Sequence, residues 1–248
     1  MKLEYVPLLQ IQRDLYEMPR GGARFQAYID TLRDQSGGMA LPLAGMNPMG
    51  KSHLPALLDD YLALDSERIA AEVVTAVQDH LSSFSGNFQV ALVMADDLKG
   101  GWTNRYTTEY THLCGTRPYH RRGWFVGHLW SSEVATAERL KAALILAIYR
   151  GAYITKHGDA ETLGGIIQQE AFVWQMGSKH HVQNHLGVLE LDDLGYTADV
   201  LHAYAQSQNY GEIMAALFGD TAARQLGYQP LGLSDYAGLR LARQRQNL

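Results

Sequence analysis

The run Phe88-Gln89-Val90-Ala91-Leu92-Val93-Met94-Ala95 constrains the fold more than any other stretch of this chain. It is nearly continuous β-prone apolar sequence, it follows turn chemistry over 82–87, and it stops at Asp96-Asp97, so it reads as a buried strand. Trp124-Phe125-Val126-Gly127-His128-Leu129-Trp130 is a second such run, with Ser131 or Ser132 placed to open the next helix. Between them Thr103 to Leu113 keeps a helical period. Strand, helix and strand in succession predict a βαβ crossover onto a small sheet, with a hairpin carrying a helical insertion as the alternative.

Almost everything else reads as helix. Residues 5–34 form two helical pieces broken at Pro19-Arg20-Gly21-Gly22, and helical patterns follow at His53 to Leu64 and Ser66 to Leu81. In the latter, Ile69, Val73, Val77 and Leu81 share a stripe, and Asp65 is placed as the cap. Met39 to Ala44 is a short apolar run that Pro42 demotes to an edge strand or an extended connector. Beyond Ala135, helices are expected over 135–156, 160–176, 197–207, 210–218, 220–226 and 235–246, with glycines 158, 177, 195, 219 and 227 at the C-cap positions. No repeat of solenoid length and no low-complexity linker interrupts the chain. The expected architecture is α+β, predominantly helical, a single domain over residues 1–248 with helices packed round a small sheet containing strands near 88–95 and 124–130.

The charge balance excludes some functions. Lys and Arg number 21 against 26 Asp and Glu, a formal charge of −5, and no basic face is visible, which argues against nucleic-acid binding. Arg117, Arg121 and Arg122 around His120 read as a hydrated turn, and Arg240, Arg243 and Arg245 as cations suited to the end of a last helix. The single cysteine, Cys114, excludes a disulfide framework and a CxxC site. Without a signal-like start or an apolar run of membrane-spanning length, the chain reads as soluble and cytoplasmic, with no membrane partner.

Two constellations could carry chemistry. Gly45-Met46-Asn47-Pro48-Met49-Gly50-Lys51-Ser52 satisfies the phosphate-loop pattern GxxxxGK[ST], in which glycine amides wrap phosphate, a lysine meets its charge and a hydroxyl holds Mg²⁺. Lys51, Ser52 and Asp96 would then bind a Mg²⁺–nucleotide, Asp96 closing an apolar strand as a metal carboxylate does. Against this, Pro42 interrupts the expected preceding strand, and Pro55 suits a helix beginning only after Ser52, so a structural turn with a helix cap is the competing reading.

The second constellation starts in the glycine-rich segment after the first strand. Glu109 and His112 form an E-x-x-H pair on one helical face, Glu170 falls on the apolar stripe Leu163, Ile167, Glu170, Trp174, and Arg150, Tyr153 and His157 share a face of the preceding helix. A carboxylate on an apolar stripe must be paired, protonated or metal-bound. Glu109, His112, His157 and Glu170 would together suit Zn, Fe or Mn, with Glu170 also a candidate general base, Tyr153 beside it, and Arg105 or Arg150 holding an anionic group of a small-molecule substrate. The expectation is a metal-dependent enzyme, most simply a hydrolase using metal-activated water, with oxygen chemistry on iron also open. The competing readings are a Mg²⁺-dependent nucleotide binder, or a non-enzymatic protein that binds a small molecule or a partner through the Trp102 to Tyr110 surface and in which Arg150 merely neutralises Glu170. His180, His181 and His185 look exposed, and Trp102, Tyr106 and Tyr110 fall at helical spacing as core or pocket wall. Gly227 to Leu233 reads as cover for a core edge or as the interface of a homo-oligomer.

Overall fold

A computed structural model describes residues 1–34, 40–98, 102–114, 118–183 and 185–244. The described residues form twelve α-helices and one three-stranded parallel sheet, so the chain is predominantly helical α+β. They divide into two compact units: unit 1 comprises Met1–Thr108 and Pro118–Ile148, and unit 2 comprises Glu109–Arg117 and Tyr149–Leu248.

Unit 1 holds the sheet, ordered β1 (Lys2–Tyr5), β2 (Asn87–Ala95) and β3 (Trp124–Trp130). Both pairings are parallel, Tyr5 lying opposite Val90 and Val90 opposite Phe125, so the crossover is found and the hairpin is not. From Val90 to Ala95 every side chain of β2 is buried, which is why its sequence shows no alternation. The strand β1 is not anticipated by the sequence, and only its last residue, Tyr5, falls in the stretch expected to be helical. It is four residues long, and its partial burial leaves no apolar run to detect.

Because β1 is so short, β2 has no strand partner on that side beyond Val90. A side chain supplies one: Gln12, fully buried in α1 (Leu8–Glu17), donates Nε2–H to the Met94 carbonyl at 3.1 Å and accepts the Met94 N–H at 2.9 Å. Its amide thus substitutes for a strand backbone and leaves neither Met94 group unpaired. The helices α2 (Gly22–Leu32), α3 (His53–Ala63) and α4 (Ser66–Gln78) complete this side, α4 packing on β1 and α1 on β2, and one 3₁₀ turn follows at Asp79–Leu81. The buried line of α4 is Ala70, Val74 and Val77, continued by Leu81, with Ile69 and Val73 only half-buried, so the stripe is rotated from the expected one. Asp65 stands at the cap position in a left-handed conformation, φ 60°, but its carboxylate bonds Arg68 rather than the helix amides.

A helical turn, α6 (Pro118–Arg121), occupies the stretch expected to be a hydrated loop, and α5 spans Arg105–Leu113. The long helix α7 (Ala137–His157) is capped by Thr136, whose hydroxyl accepts the Arg139 N–H at 3.2 Å. The expected caps, Ser131 and Ser132, are spent on carboxylates instead. At Gly127 β3 approaches this helix so closely that a Cβ would stand 2.9 Å from the Ala143 carbonyl oxygen.

Unit 2 carries α7 from Tyr149 onward, α8 (Leu163–Ser178), α9 (Leu191–Ala203), α10 (Tyr210–Phe218), α11 (Asp220–Leu226) and α12 (Ala237–Gln244). Six consecutive residues of α10, Ile213 to Phe218, are buried, as expected of a helix surrounded on all sides, and α12 packs on α8, α9 and α10. Gly219 ends α10 at φ 84°, with the Ser234 carbonyl filling the space a side chain would need. Gly158, Gly219 and Gly227 have the positive φ of helix terminators, whereas Gly177 and Gly195 lie inside α8 and α9.

No helix among the described residues is long and apolar enough to cross a membrane.

Candidate active site

Asp96 is the first residue past β2, at the carboxyl edge of the sheet, and its side chain is 2% exposed. A carboxylate so placed must collect donors, and three elements supply them. Asn47 donates Nδ2–H to Oδ2 at 2.7 Å, Ser131 donates its hydroxyl to Oδ1 at 3.0 Å, and His53 places Nε2 3.2 Å from the same Oδ1. Burial pushes the Asp96 carboxyl upward, but the bonds from Asn47, His53 and Ser131 outweigh it and hold the group below its ordinary value. An ionised carboxylate only accepts. The hydrogen between the pair therefore sits on His53 Nε2, and in the neutral ring the lone pair is on Nδ1. The His53 side chain is 34% exposed, so the ring reaches solvent while its rear is bound to a buried anion.

The neighbouring carboxylate is treated differently. Asp97 accepts the Ser132 N–H at 2.9 Å and the Ser132 hydroxyl at 2.7 Å, and Ser131 Oγ lies 3.1 Å from its Oδ1. Arg105 is engaged by Glu133 at 2.7 Å, lies 3.6 Å from Asp97, and rests over the Trp130 ring at 5.0 Å. Its guanidinium is thus part of the scaffold beside Asp97. Thr103 closes the site from the far side of the loop, giving both its N–H and its hydroxyl to the Asp96 carbonyl. Leu98 and Trp102 flank that loop, 40% and 51% exposed, and Trp102 precedes α5 instead of continuing a buried stripe with Tyr106 and Tyr110. The rest of the glycine-rich segment, residues 99–101, lies outside the described residues.

The GxxxxGKS segment runs to this same carboxylate. Its own amides, however, are turned inward: Met46 N–H goes to Leu43 O, Met49 N–H to Asn47 Oδ1 and Gly50 N–H to Asn47 O. Tyr16 donates its hydroxyl to the Asn47 carbonyl at 2.6 Å, and a Cβ on Gly50 would collide with Leu54. These are the bonds of a series of tight turns, with α3 starting at His53 and Pro55 in its first turn. Ser52 occupies the cap position without a side-chain cap bond, and Lys51 and Ser52 face solvent. At Gly45 the missing side chain makes room for His128, whose Nε2 would be 3.1 Å from a Cβ there.

In unit 2 the buried carboxylate Glu170, 2% exposed, is held by Arg150 through two parallel bonds of 2.7 Å, Nε to Oε1 and Nη2 to Oε2. This is the ion pair expected as the alternative to metal ligation. Burial favours the neutral form of Arg150, but the charge and hydrogen bonds of Glu170, with a further contribution from Glu109, raise its pKa above the ordinary value. Gln169, fully buried, donates Nε2–H to the Leu113 carbonyl at 2.6 Å, and its Oε1 has no hydrogen-bond partner among the described residues. Arg243 lies 3.6 Å over the Trp174 ring, and burial lowers its pKa to about 9 despite the attraction of Glu170 and Glu109. It belongs to this cluster, beyond the helix-end role its position suggested. The structure therefore gathers Glu109, Arg150 and Glu170. His112 is half-buried, whereas His157 is exposed at the end of α7 with its ring 4.5 Å from that of Tyr153. His180 meets Tyr149, Oη to Nε2 being 2.6 Å. Among the described residues no three His, Cys, Asp or Glu side chains are grouped to hold a metal ion.

Sequence reasoning missed Asn47, His53 and Ser131. The last two have the local pattern of helix openers, and Asn47 carries no signal of its own, because its partner lies forty-nine positions away. Comparison with known protein families, curated proteins and solved structures gives no match.

Proposed function

We propose that the chain is an enzyme in which His53 is the general base and Asp96 positions it, with hydrolysis by an activated water as the reaction class. The carrying observation is the 3.2 Å contact between His53 Nε2 and Asp96 Oδ1. A buried carboxylate behind a partly exposed imidazole fixes the ring and its tautomer, so that Nδ1 is free to take a proton from water, and it stabilises the imidazolium that results. Asn47 and Ser131 keep Asp96 ionised and in place, which is the supporting layer such a base requires. The position at the carboxyl ends of parallel strands is where open α/β sheets place ligands. Lys51, exposed two residues before His53, supports a small molecule carrying negative charge as the substrate class. No step of this reading passes through a metal or a nucleotide.

Two measurements test it. Nitrogen NMR of the neutral His53 ring should show a protonated Nε2 and a bare Nδ1, and Asp96→Asn should change that tautomer; a neutral ring carrying its proton on Nδ1 in the unaltered protein refutes the proposal. Against a panel of p-nitrophenyl carboxylate, phosphate and sulfate esters, His53→Gln should lower kcat/KM by about 10²–10⁴-fold, the usual contribution of a positioned base. Turnover that survives His53→Gln at the original rate refutes it as well.

A further inference from the structure

Arg24 is a buried cation of unit 1 that no carboxylate answers. It is 7% exposed and belongs to the first turn of α2, and a guanidinium keeps its charge at neutral pH, so it cannot escape burial by losing a proton. Buried charges are ordinarily paired, as Arg150 is with Glu170. Every Asp and Glu of the chain lies among the described residues, and none forms an ion pair with Arg24. Glu17, the last acid before it, is taken by Arg13, and Asp30, the first after it, accepts from Gln26.

Carbonyls fix the position of this group. Its Nε donates to the Met18 carbonyl at 2.7 Å, Nη2 donates to the same oxygen and lies 3.4 Å from the Tyr16 carbonyl, and the Tyr16 ring covers the guanidinium with Cζ 5.3 Å from its centroid. The carbonyl dipoles at the end of α1 orient the cation but supply no net negative charge. Both N–H bonds of Nη1 are left without an acceptor among the described residues.

Met18 precedes the first residue of α2 by four positions, so the guanidinium leans back to the N-terminal end of its own helix. The Gly22, Ala23 and Arg24 amides there have no acceptor among the described residues, the first bond of the turn running from Phe25 N–H to the Gly21 carbonyl. No acidic residue and no capping side chain meets them, and Arg20, exposed and without an ion pair, adds a second cation at the positive end of the dipole. Gly21 is extended at φ 161°, Gly22 has no positive φ, and a Cβ on either would meet nothing within 4 Å. Neither backbone conformation nor packing requires these glycines; their missing side chains leave the amides open to close approach. Three amides, the two N–H bonds of Nη1 and a second arginine offer more donors and more charge than the two oxygens of a carboxylate can use. We infer that Arg24, Arg20 and the first turn of α2 form a binding site for a phosphate group, carried by inorganic phosphate or by a small phosphomonoester. The inference does not depend on the role of His53.

The test follows the full chain by proton–nitrogen NMR at neutral pH while inorganic phosphate, and separately methyl phosphate, replaces chloride at constant ionic strength. At least one of the two should shift the amides of residues 21–24 saturably, with half-saturation below about 10 mM. Ala23→Asp puts a tethered carboxylate at an exposed first-turn position that suits the helix dipole, so the fold is kept while the site is filled, and binding should weaken by about tenfold or more. Arg24→Met should weaken it by at least as much; because that change also removes the Met18 bonds, Ala23→Asp decides alone if the methionine variant fails to fold. A response still linear at about 10 mM with both anions, binding of parent strength by Ala23→Asp or by folded Arg24→Met, or shifts confined to residues 51–53 would overturn the proposal. Tighter binding of methyl phosphate than of inorganic phosphate assigns the site to a phosphomonoester, and equal or weaker binding assigns it to free phosphate.

Discussion

Replacing Glu170 by alanine removes both acceptors of Arg150 and leaves a guanidinium whose side chain is only 16% exposed with its principal partner gone. Breaking a buried pair from one side costs about 3–5 kcal/mol, because the remaining charge keeps its desolvation penalty and loses its compensation. Gln169 also loses the 3.3 Å contact from its Nε2 to Glu170, and Arg243 loses the largest attraction acting on it. Removing both charges has a different outcome: with Arg150→Met and Glu170→Leu together, neither partner of the pair remains to be desolvated, and such replacements are often neutral or stabilising by about 1–4 kcal/mol. The expected signature is therefore strong non-additivity. Equilibrium urea unfolding at neutral pH, followed by circular dichroism and by the fluorescence of Trp174, the tryptophan of unit 2, measures all four corners of the cycle. If Glu170→Ala costs under about 1 kcal/mol, or if the double replacement loses the sum of the two single losses, the pair is not the buried, mutually dependent element described here.

Two further outcomes follow from the sheet and its edge. Because Asp96 is held below the ordinary carboxylate value, its contribution to stability is complete above about pH 4 and is lost as pH falls through the lower value of the folded state, so the stability difference between the parent chain and Asp96→Asn should shrink as acid is added; a difference that stays constant from pH 7 to about pH 3 contradicts the hydrogen-bond account. Gly127→Ala should destabilise by about 1–3 kcal/mol, since its Cβ would stand 2.9 Å from the Ala143 carbonyl and neither backbone can withdraw cheaply, and a urea midpoint equal to that of the parent chain would show that β3 and α7 are not so close.

What could be read from the sequence is what periodicity encodes. The β2 run lacks alternation because both its faces are covered, and the helices α10 and α11 have the expected limits because Gly219 and Gly227, at φ 84° and 78°, mark their ends. Three kinds of feature escaped. A strand as short as β1 has too few residues to show a period. The glycines 177 and 195 are continued through by helix, so glycine alone did not decide a boundary. The buried stripe of α4 keeps the expected Val77 and Leu81 but takes Ala70 and Val74 in place of Ile69 and Val73, because its partners β1 and α3 set which way the first turns face.

Polar partnerships explain the rest of the discrepancy, and the same reasoning applies at both charged centres. A buried carboxylate can be anticipated from one helix face, as Glu170 was, since an ion on an apolar stripe announces a need for compensation. The identity of the compensating group cannot be anticipated in the same way when it arrives from another element. Arg150 was within reach of such reasoning because it shares a polar spacing with Tyr153 and His157 on α7. Asn47, His53 and Ser131 were not, since each lies on a segment whose local pattern has another explanation: a turn, a helix start and a helix cap. Serine at a cap position and serine bound to a carboxylate have the same sequence signature. What separates them is whether a nearer cap exists, and Thr136 provides one, which leaves Ser131 available to Asp96. The GxxxxGKS match follows the same logic in reverse: its glycines make room for His128 and Leu54, its tight turns consume the Met46, Met49 and Gly50 amides, and those turns deliver Asn47 and His53 to the carboxylate at the sheet edge.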